Sequence, residues 1–213
     1  MRPSHSRTRV AEFIGDKIIR QQLPAGRSIG EEALAIELGV SRTPIREALL
    51  GLANGGLVQA QRGRGFIVQP LSASEARQIY PIIATLERLA VETSPPASGQ
   101  QIECLSDLNQ QLAQTDSPHE RMRLDASWHR TITSDCRNPR LISLIEATKQ
   151  TALRYEYAYL KNAALRDTSI GEHEEISARF QSDPKGAAKA IELHWMRGLN
   201  AVLRMLEGPE DGI

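Results

Sequence analysis

Two groups of residues in this 213-residue chain are of types, and at spacings, that do chemistry. The first is Asp125, His129, His173 and His194. Met122, Asp125, Ala126, His129, Ile132 and Cys136 repeat at three and four residues, so Asp125 and His129 fall one turn apart on the face expected to be buried. His173 shares a stripe with Ile170, Ile176, Ser177 and Phe180, and His194 shares one with Ala187, Ala190, Ile191, Gly198 and Val202. Three helices therefore each turn a metal-capable group inward. A buried carboxylate is costly without a partner, and a single divalent cation would satisfy all four groups. The donors are N and O with no thiolate, so zinc is the first expectation, and nickel, manganese or iron suit the same set. Any one of these histidines alone reads better as a hydrogen-bonded core residue. His5 and His119, in the tail and at a helix start, keep that reading.

The second group is basic. Arg42 and Arg46 are four residues apart and share one exposed helix face. A guanidinium at the start of a helix can bind phosphate or read guanine bidentately. Ser41 and Thr43 add hydroxyls where a helix N-terminus favours an anion. Further on, Arg62 and Arg64 alternate with Gly63 and Gly65, glycines that let the backbone come close to a polyanion.

The elements that position these groups follow from periodicity and breakers. Val10 to Gln22 has helical apolar spacing and ends before Leu23-Pro24-Ala25-Gly26. Glu31 to Leu38 reads as a short helix with acids in its first turn, stopped by Gly39. Ser41 is a suitable N-cap for a third helix to about Asn54. Leu57 to Ala60 and Phe66 to Val68 read as two strands around the tip Arg62 to Gly65. Three helices, a glycine turn between the second and third, and a hairpin make a winged helix-turn-helix.

From Leu71 onward no comparable strand signal remains. Ser72 to Glu75 is a capping box opening a helix to about Thr93, and Gln100 to Thr115 follows a Pro-rich break. Ser117-Pro118, Asn138-Pro139 and Asp183-Pro184 each pair a capping side chain with proline at the first helical position. A further helix fits between Thr168 and Gln181. The expected fold is mostly α: a winged helix-turn-helix over 1–70 and an all-helical bundle of about six helices over 71–213.

Composition agrees with two small domains and excludes several classes. Residues 1–70 hold ten basic and six acidic side chains, leaving 16 and 20 for the remainder, so a neutral chain has a basic front and an acidic rear. No stretch approaches a membrane span, and the polar start has no apolar signal core. Cys104 and Cys136 lack metal or disulfide spacing and read as free thiols in a reducing cytosol, so the expected location is cytoplasmic.

Residues 8–70 resemble the DNA-binding domain of the GntR family of bacterial regulators. The resemblance lies in Leu34-Ala35-x-x-Leu38-Gly39-Val40-Ser41-Arg42-Thr43-Pro44-Ile45-Arg46-Glu47-Ala48-Leu49, then Gly56-Leu57-Val58, then Arg62-Gly63. It implies operator contacts at Arg42, Thr43, Arg46 and Gly63. Gly55 stands where the family commonly has an acid, and Glu32 where some members place a DNA-reading arginine. Residues 72–203 resemble the helical FCD domain of the FadR subfamily, through Asp125-x-x-Trp128-His129, Asn138-Pro139-x-Leu141, His173 and His194. In such domains three His and one Asp bind a metal whose open positions take water or an effector carboxylate. Many members carry an arginine three residues before the Leu86-Glu87 pair; Ile83 stands there, leaving Arg88 and Arg154 as candidate effector anchors.

The expectation is a ligand-responsive, sequence-specific regulator, a repressor by resemblance, binding a double-stranded operator as a homodimer and released by a small carboxylate. Dimerisation is expected because one winged helix reads only a few base pairs. A metal-dependent enzyme acting on a small organic acid is the rival class, since Glu172 and Glu174 lie near His173. No further acid/base pair stands at recognisable spacing, so no enzyme is expected. A regulator whose metal is purely structural is the third reading.

Overall fold

The computed structural model describes residues 7–54 and 56–207. His5 and Gly55 lie outside the described residues. Contacts divide the chain into two compact units, Met1–Leu71 and Ser72–Ile213.

In the first unit, helices α1 (Arg7–Ile19), α2 (Glu31–Leu38) and α3 (Arg42–Asn54) precede strands β1 (Val58–Gln61) and β2 (Gly65–Val68). Val10, Ile14 and Ile18 of α1, Leu34 of α2, Ile45 and Leu49 of α3 and Phe66 and Val68 of β2 are buried together in one core. Truncating a fully buried member such as Ile45 to alanine costs about 2–5 kcal/mol. The turn between α2 and α3 depends on Gly39, whose left-handed backbone (φ 63°) swings the chain so that the Val40 N–H returns to the Ala35 carbonyl.

Several boundaries differ from expectation: β1 runs Val58–Gln61 rather than Leu57 to Ala60, and β2 takes in Gly65, expected in the tip. α1 starts at Arg7 and ends at Ile19 rather than spanning Val10 to Gln22. Its end comes early because Gln21 adopts φ 58°, and the N–H groups of Gln22 and Leu23 both turn back to the Lys17 carbonyl. The hairpin pairs Val58 with Val68 and Gln61 with Gly65, and adds a bridge from Ser28 to Ile67 that extends its edge. That bridge has no sequence signature, because Arg27 to Ile29 lacks alternation of its own.

The second unit contains α4 (Ala73–Thr93), α5 (Gly99–Gln114), α6 (Pro118–Thr133), α7 (Pro139–Lys161), α8 (Ala163–Phe180) and α9 (Pro184–Glu207). Local capping sets most starts. Ser72, Ser98, Ser117 and Asn138 each accept a hydrogen bond from the backbone N–H three residues on, and Asp183 accepts one from Gly186. α8 corrects the expectation of a start at Thr168: Asn162 caps it by accepting from Leu165 N, so α8 follows α7 almost without a break. Exposed Ala163, Ala164 and Asp167 hide that first turn from a periodicity argument. α4 and α9 pack along much of their length, with α6, α7 and α8 closing the core around Trp128, Tyr155 and Phe180. Among the described residues, no helix is long and apolar enough to cross a membrane.

Candidate metal centre and nucleic-acid interface

The helical spacing of α6 brings Asp125 and His129 to one buried face, and α8 and α9 bring His173 and His194 against it. Ligand atoms of the three histidines lie within 4.8 Å of one another. Asp125 joins them, with Oδ2 3.9 Å from His129 Nε2 and Oδ1 3.7 Å from His173 Nε2. These separations are too long for hydrogen bonds. They suit donors surrounding one ion at about 2.0–2.2 Å each. All four residues are buried.

Each imidazole is oriented from behind. His129 Nδ1 lies 2.7 Å from Glu87 Oε2, His194 Nδ1 lies 2.7 Å from Glu172 Oε2, and His173 Nδ1 lies 3.2 Å from Asn109 Oδ1. Asn109 is itself fixed, because its Nδ2 donates to the Ile170 carbonyl. With acceptors at every Nδ1, the ring proton sits there and Nε2 keeps its lone pair. His129 Nε2 and His173 Nε2 are buried and have no hydrogen-bond partner. Orphaned acceptors in a dry core are costly, and a cation is the group that satisfies them. The residues present therefore fit a metal.

The electrostatics agree. Burial pushes the pKa of His129 and His173 down, that of His173 well down, so both imidazoles are neutral and able to ligate. Burial alone would raise Glu87, but His129, Lys149 and the Trp195 N–H hold its carboxyl down at about 2. Glu87 thus stays ionised while accepting from His129, from Trp195 Nε1 at 2.7 Å and from Lys149 Nζ at 3.1 Å. The Trp128 ring stacks on His173, with centroids 3.7 Å apart and planes 4° from parallel.

Beside the cluster is a cavity of about 30 Å³, lined by Asp125, His129 and His194 and by Tyr80, Glu156, Tyr159 and Trp195 among others. That is room for a water or two, or for a few atoms of a small molecule after modest rearrangement. Neither candidate effector anchor lines it. Arg88 pairs with Glu92 at 2.5 Å and Glu192 at 3.6 Å, and Arg154 pairs with Glu75 at 3.0 Å. Ile83 is fully buried and also stands apart from the lining residues. Of the two acids considered for water activation, Glu172 is committed to His194 and Arg197, and Glu174 is exposed.

Sequence reasoning missed polar residues behind the ligands and on the cavity wall. Glu87, Asn109, Lys149 and Glu156 come from three further helices and carry no spacing relation to the histidines. A weak signal did exist: Glu87, Lys149 and Glu156 are charged residues on otherwise apolar faces.

In the first unit, Ser41, Arg42, Thr43 and Arg46 are exposed along the start of α3, and Arg62, Gly63 and Arg64 are exposed at the hairpin tip. Gly63 has φ 74°, which lets the three-residue tip turn tightly. Glu31, at the start of α2, ties the two surfaces together. Its Oε1 is 3.5 Å from Arg46 and its Oε2 is 3.9 Å from Arg42, while a Cβ on Gly65 would stand 3.4 Å from Oε1. Arg46 also lies over the Phe66 ring, 5.8 Å from its centroid. The two arginines are thus held on one face by α2 and the wing.

A winged helix-turn-helix followed by a six-helix unit with a buried histidine cluster defines a one-component DNA-binding regulator. Residues 6–68 match the family described as bacterial regulatory proteins, gntR family, and residues 78–197 match the FCD domain. The chain belongs to the GntR family, with an FCD ligand-binding domain as its second part. It is similar to the HTH-type transcriptional regulator YdhC of Bacillus subtilis (strain 168), 31% identical over 171 residues covering 77% of this chain and 75% of that one. It is also similar to the Nta operon transcriptional regulator of Aminobacter aminovorans, 28% identical over 86% of this chain and 88% of that one. The HTH-type transcriptional repressor RspR of Escherichia coli (strain K12) is 26% identical, over 83% of this chain and 80% of its own. Among solved structures, a GntR family member from Pseudomonas syringae pv. tomato str. DC3000 is 27% identical with a TM-score of 0.55, over 95% of this chain and 88% of that one. E. coli McbR/YncC, at 20% identity, shares the fold with a TM-score of 0.77, over 94% and 98%. These domains and relatives are those of a DNA-binding transcriptional regulator, not an enzyme.

Proposed function

We propose that this chain is a cytoplasmic, homodimeric repressor whose helical domain (71–213) holds a divalent metal and uses it to sense a small carboxylate. In this reading the winged domain (1–70) binds operator DNA. Arg42 and Arg46 read base edges, Ser41 and Thr43 position the helix on phosphate, and Arg62, Gly63 and Arg64 follow the backbone with the wing. Asp125, His129, His173 and His194 would hold the ion, zinc foremost and nickel, manganese or iron by the same donors. When bound, such an ion supplies a Lewis-acidic centre that attracts a carboxylate. Glu87, Glu172 and Asn109 orient the imidazoles, and the adjacent aromatic residues exclude bulk water.

The observation that carries the metal reading is the pair of buried, unpartnered Nε2 atoms on His129 and His173, beside an open cavity. That cavity also favours a sensing ion over a purely structural one, since a closed structural site leaves no adjoining space. The effector acts by binding one domain arrangement better than the other, which shifts operator affinity by that difference.

The test begins by selecting a duplex from random DNA with the metal-loaded protein. Operator affinity is then followed by fluorescence anisotropy across short mono- and dicarboxylic acids. The expected result is a two-fold repeated site, with at least one acid weakening binding about fivefold or more. Failure to select any duplex, or an affinity that no acid changes, would contradict the proposal.

A further inference from the structure

The cavity beside the histidine cluster contains a second orphan, and it is an acid. Glu156, on α7, is 6% exposed, lines the cavity, and has no hydrogen-bond partner at either Oε1 or Oε2. Native cores satisfy nearly all buried polar groups, so a carboxyl left with two open acceptors on a cavity wall marks a missing partner. Among the described residues, no lysine or arginine lines the cavity. Lys149, seven residues earlier on α7, acts on Glu156 through its charge without a hydrogen bond to it. Lys149, the buried lysine of this unit, is held 3.1 Å from Glu87 and lies over the Trp195 ring, 5.0 Å from its centroid. Arg88 and Arg154 are tied to Glu92 and Glu75.

The remaining wall is aromatic: Tyr80, Tyr159 and Trp195 line the same space. A carboxylate set among aromatic rings is the environment that a protonated amine prefers, since the rings add cation–π attraction to a charge-assisted hydrogen bond. A second carboxylate on the ligand would meet Glu156 as a like charge in a low-dielectric space. We propose that Glu156 is a specificity-determining residue, and that the effector is a small amino carboxylate with its carboxylate toward the Asp125 and histidine cluster and its ammonium at Glu156. This rests on the reading of the cluster as a carboxylate-sensing metal site. It narrows the ligand from any small acid to one bearing both charges.

Isothermal titration of the full-length, zinc-loaded protein with matched pairs tests it: acetate against glycine, propionate against β-alanine, butyrate against γ-aminobutyrate, and succinate against aspartate. The expected result is that the amino member of at least one pair binds about tenfold or more tighter. In Glu156→Gln that preference disappears, with zinc content as in the wild type. Preference for the amine-free member in every pair would overturn the proposal, and this arm needs no variant to fold. Persistence of the amine preference in Glu156→Gln would also overturn it. Loss of zinc from Glu156→Gln would do so as well, by making Glu156 a ligand rather than a selector. Equal binding within every pair refutes the role of Glu156 and leaves the carboxylate reading standing. No binding by any member of any pair overturns both.

Discussion

His129 Nδ1 lies 2.7 Å from Glu87 Oε2, in a pair that is essentially closed to solvent. From that contact the rest of the polar core is ordered, because the same carboxylate also takes the Trp195 N–H and the Lys149 ammonium. Removing its charge strips support from a ligand and leaves a buried lysine uncompensated. Glu87→Gln is therefore expected to cost about 3–5 kcal/mol of stability. It should also weaken metal binding by about 10–100-fold. Urea denaturation and competition with a chelator measure the two effects. A variant as stable as the parent would show that Glu87 is not the organising residue.

The metal-free protein should lose stability in acid. His129 and His173 are pushed below their ordinary 6.5 by burial, so the unfolded chain takes up protons that the folded chain refuses. Their contribution is full above pH 6.5 and declines as pH falls below it. Glu87, held down at about 2 against an ordinary 4.5, adds a second loss as pH falls below 4.5. Thermal melts of the stripped protein from neutral pH downward check this, and a melting temperature flat to about pH 5 would contradict it.

Glu156 acts with the opposite sign. With no ion or ligand beside it, burial raises its carboxyl from 4.5 to about 8, so the folded chain keeps a proton that the unfolded chain releases. An ammonium seated against it would restore the carboxylate. Stability from this source is present below 4.5 and is lost as pH rises through about 8. In the metal-free protein, Glu156→Gln should gain melting temperature relative to the parent between about pH 5 and about pH 9. A difference that does not change with pH would mean that Glu156 is not protonated in the fold.

On the DNA side, contacts to bases and to phosphates should separate. Arg46→Ala is expected to abolish selective operator binding while fold and metal content persist. A bidentate base contact alone is worth about 1–3 kcal/mol of discrimination. Replacing Arg62 and Arg64 together with alanine should weaken binding to all sequences alike. The slope of log affinity against log salt should fall by about one per lost phosphate contact. Gel-shift titrations at several salt concentrations separate these outcomes, and an unchanged Arg46→Ala affinity would remove that residue from the reading face.

Much of this architecture was legible because its signals are local. Gly39, the Ser-Pro and Asn-Pro helix starts and the three-and-four stripes around His129 and His194 each depend on a few neighbouring residues. α8 was misread at its start because its first turn is exposed and its cap, Asn162, also ends α7. The four inward-facing polar groups were recoverable from helical period alone. Their polar surroundings were not, since the supports Glu87 and Asn109 and the cavity-lining Glu156 reach the site by tertiary packing from α4, α5 and α7. Arg88 and Arg154, named as anchors for want of an arginine at Ile83, have their charges balanced elsewhere. A sequence carries residue charge plainly, but gives no sign of which partner neutralises it.

The most direct test of the account is metal analysis of the purified, zinc-exchanged protein beside its His173→Ala, His194→Ala double variant. Circular dichroism would confirm that both are folded. The account predicts about one tightly held ion per wild-type chain and none in the variant. Full occupancy in the variant, or a wild-type chain that holds no ion, would contradict it.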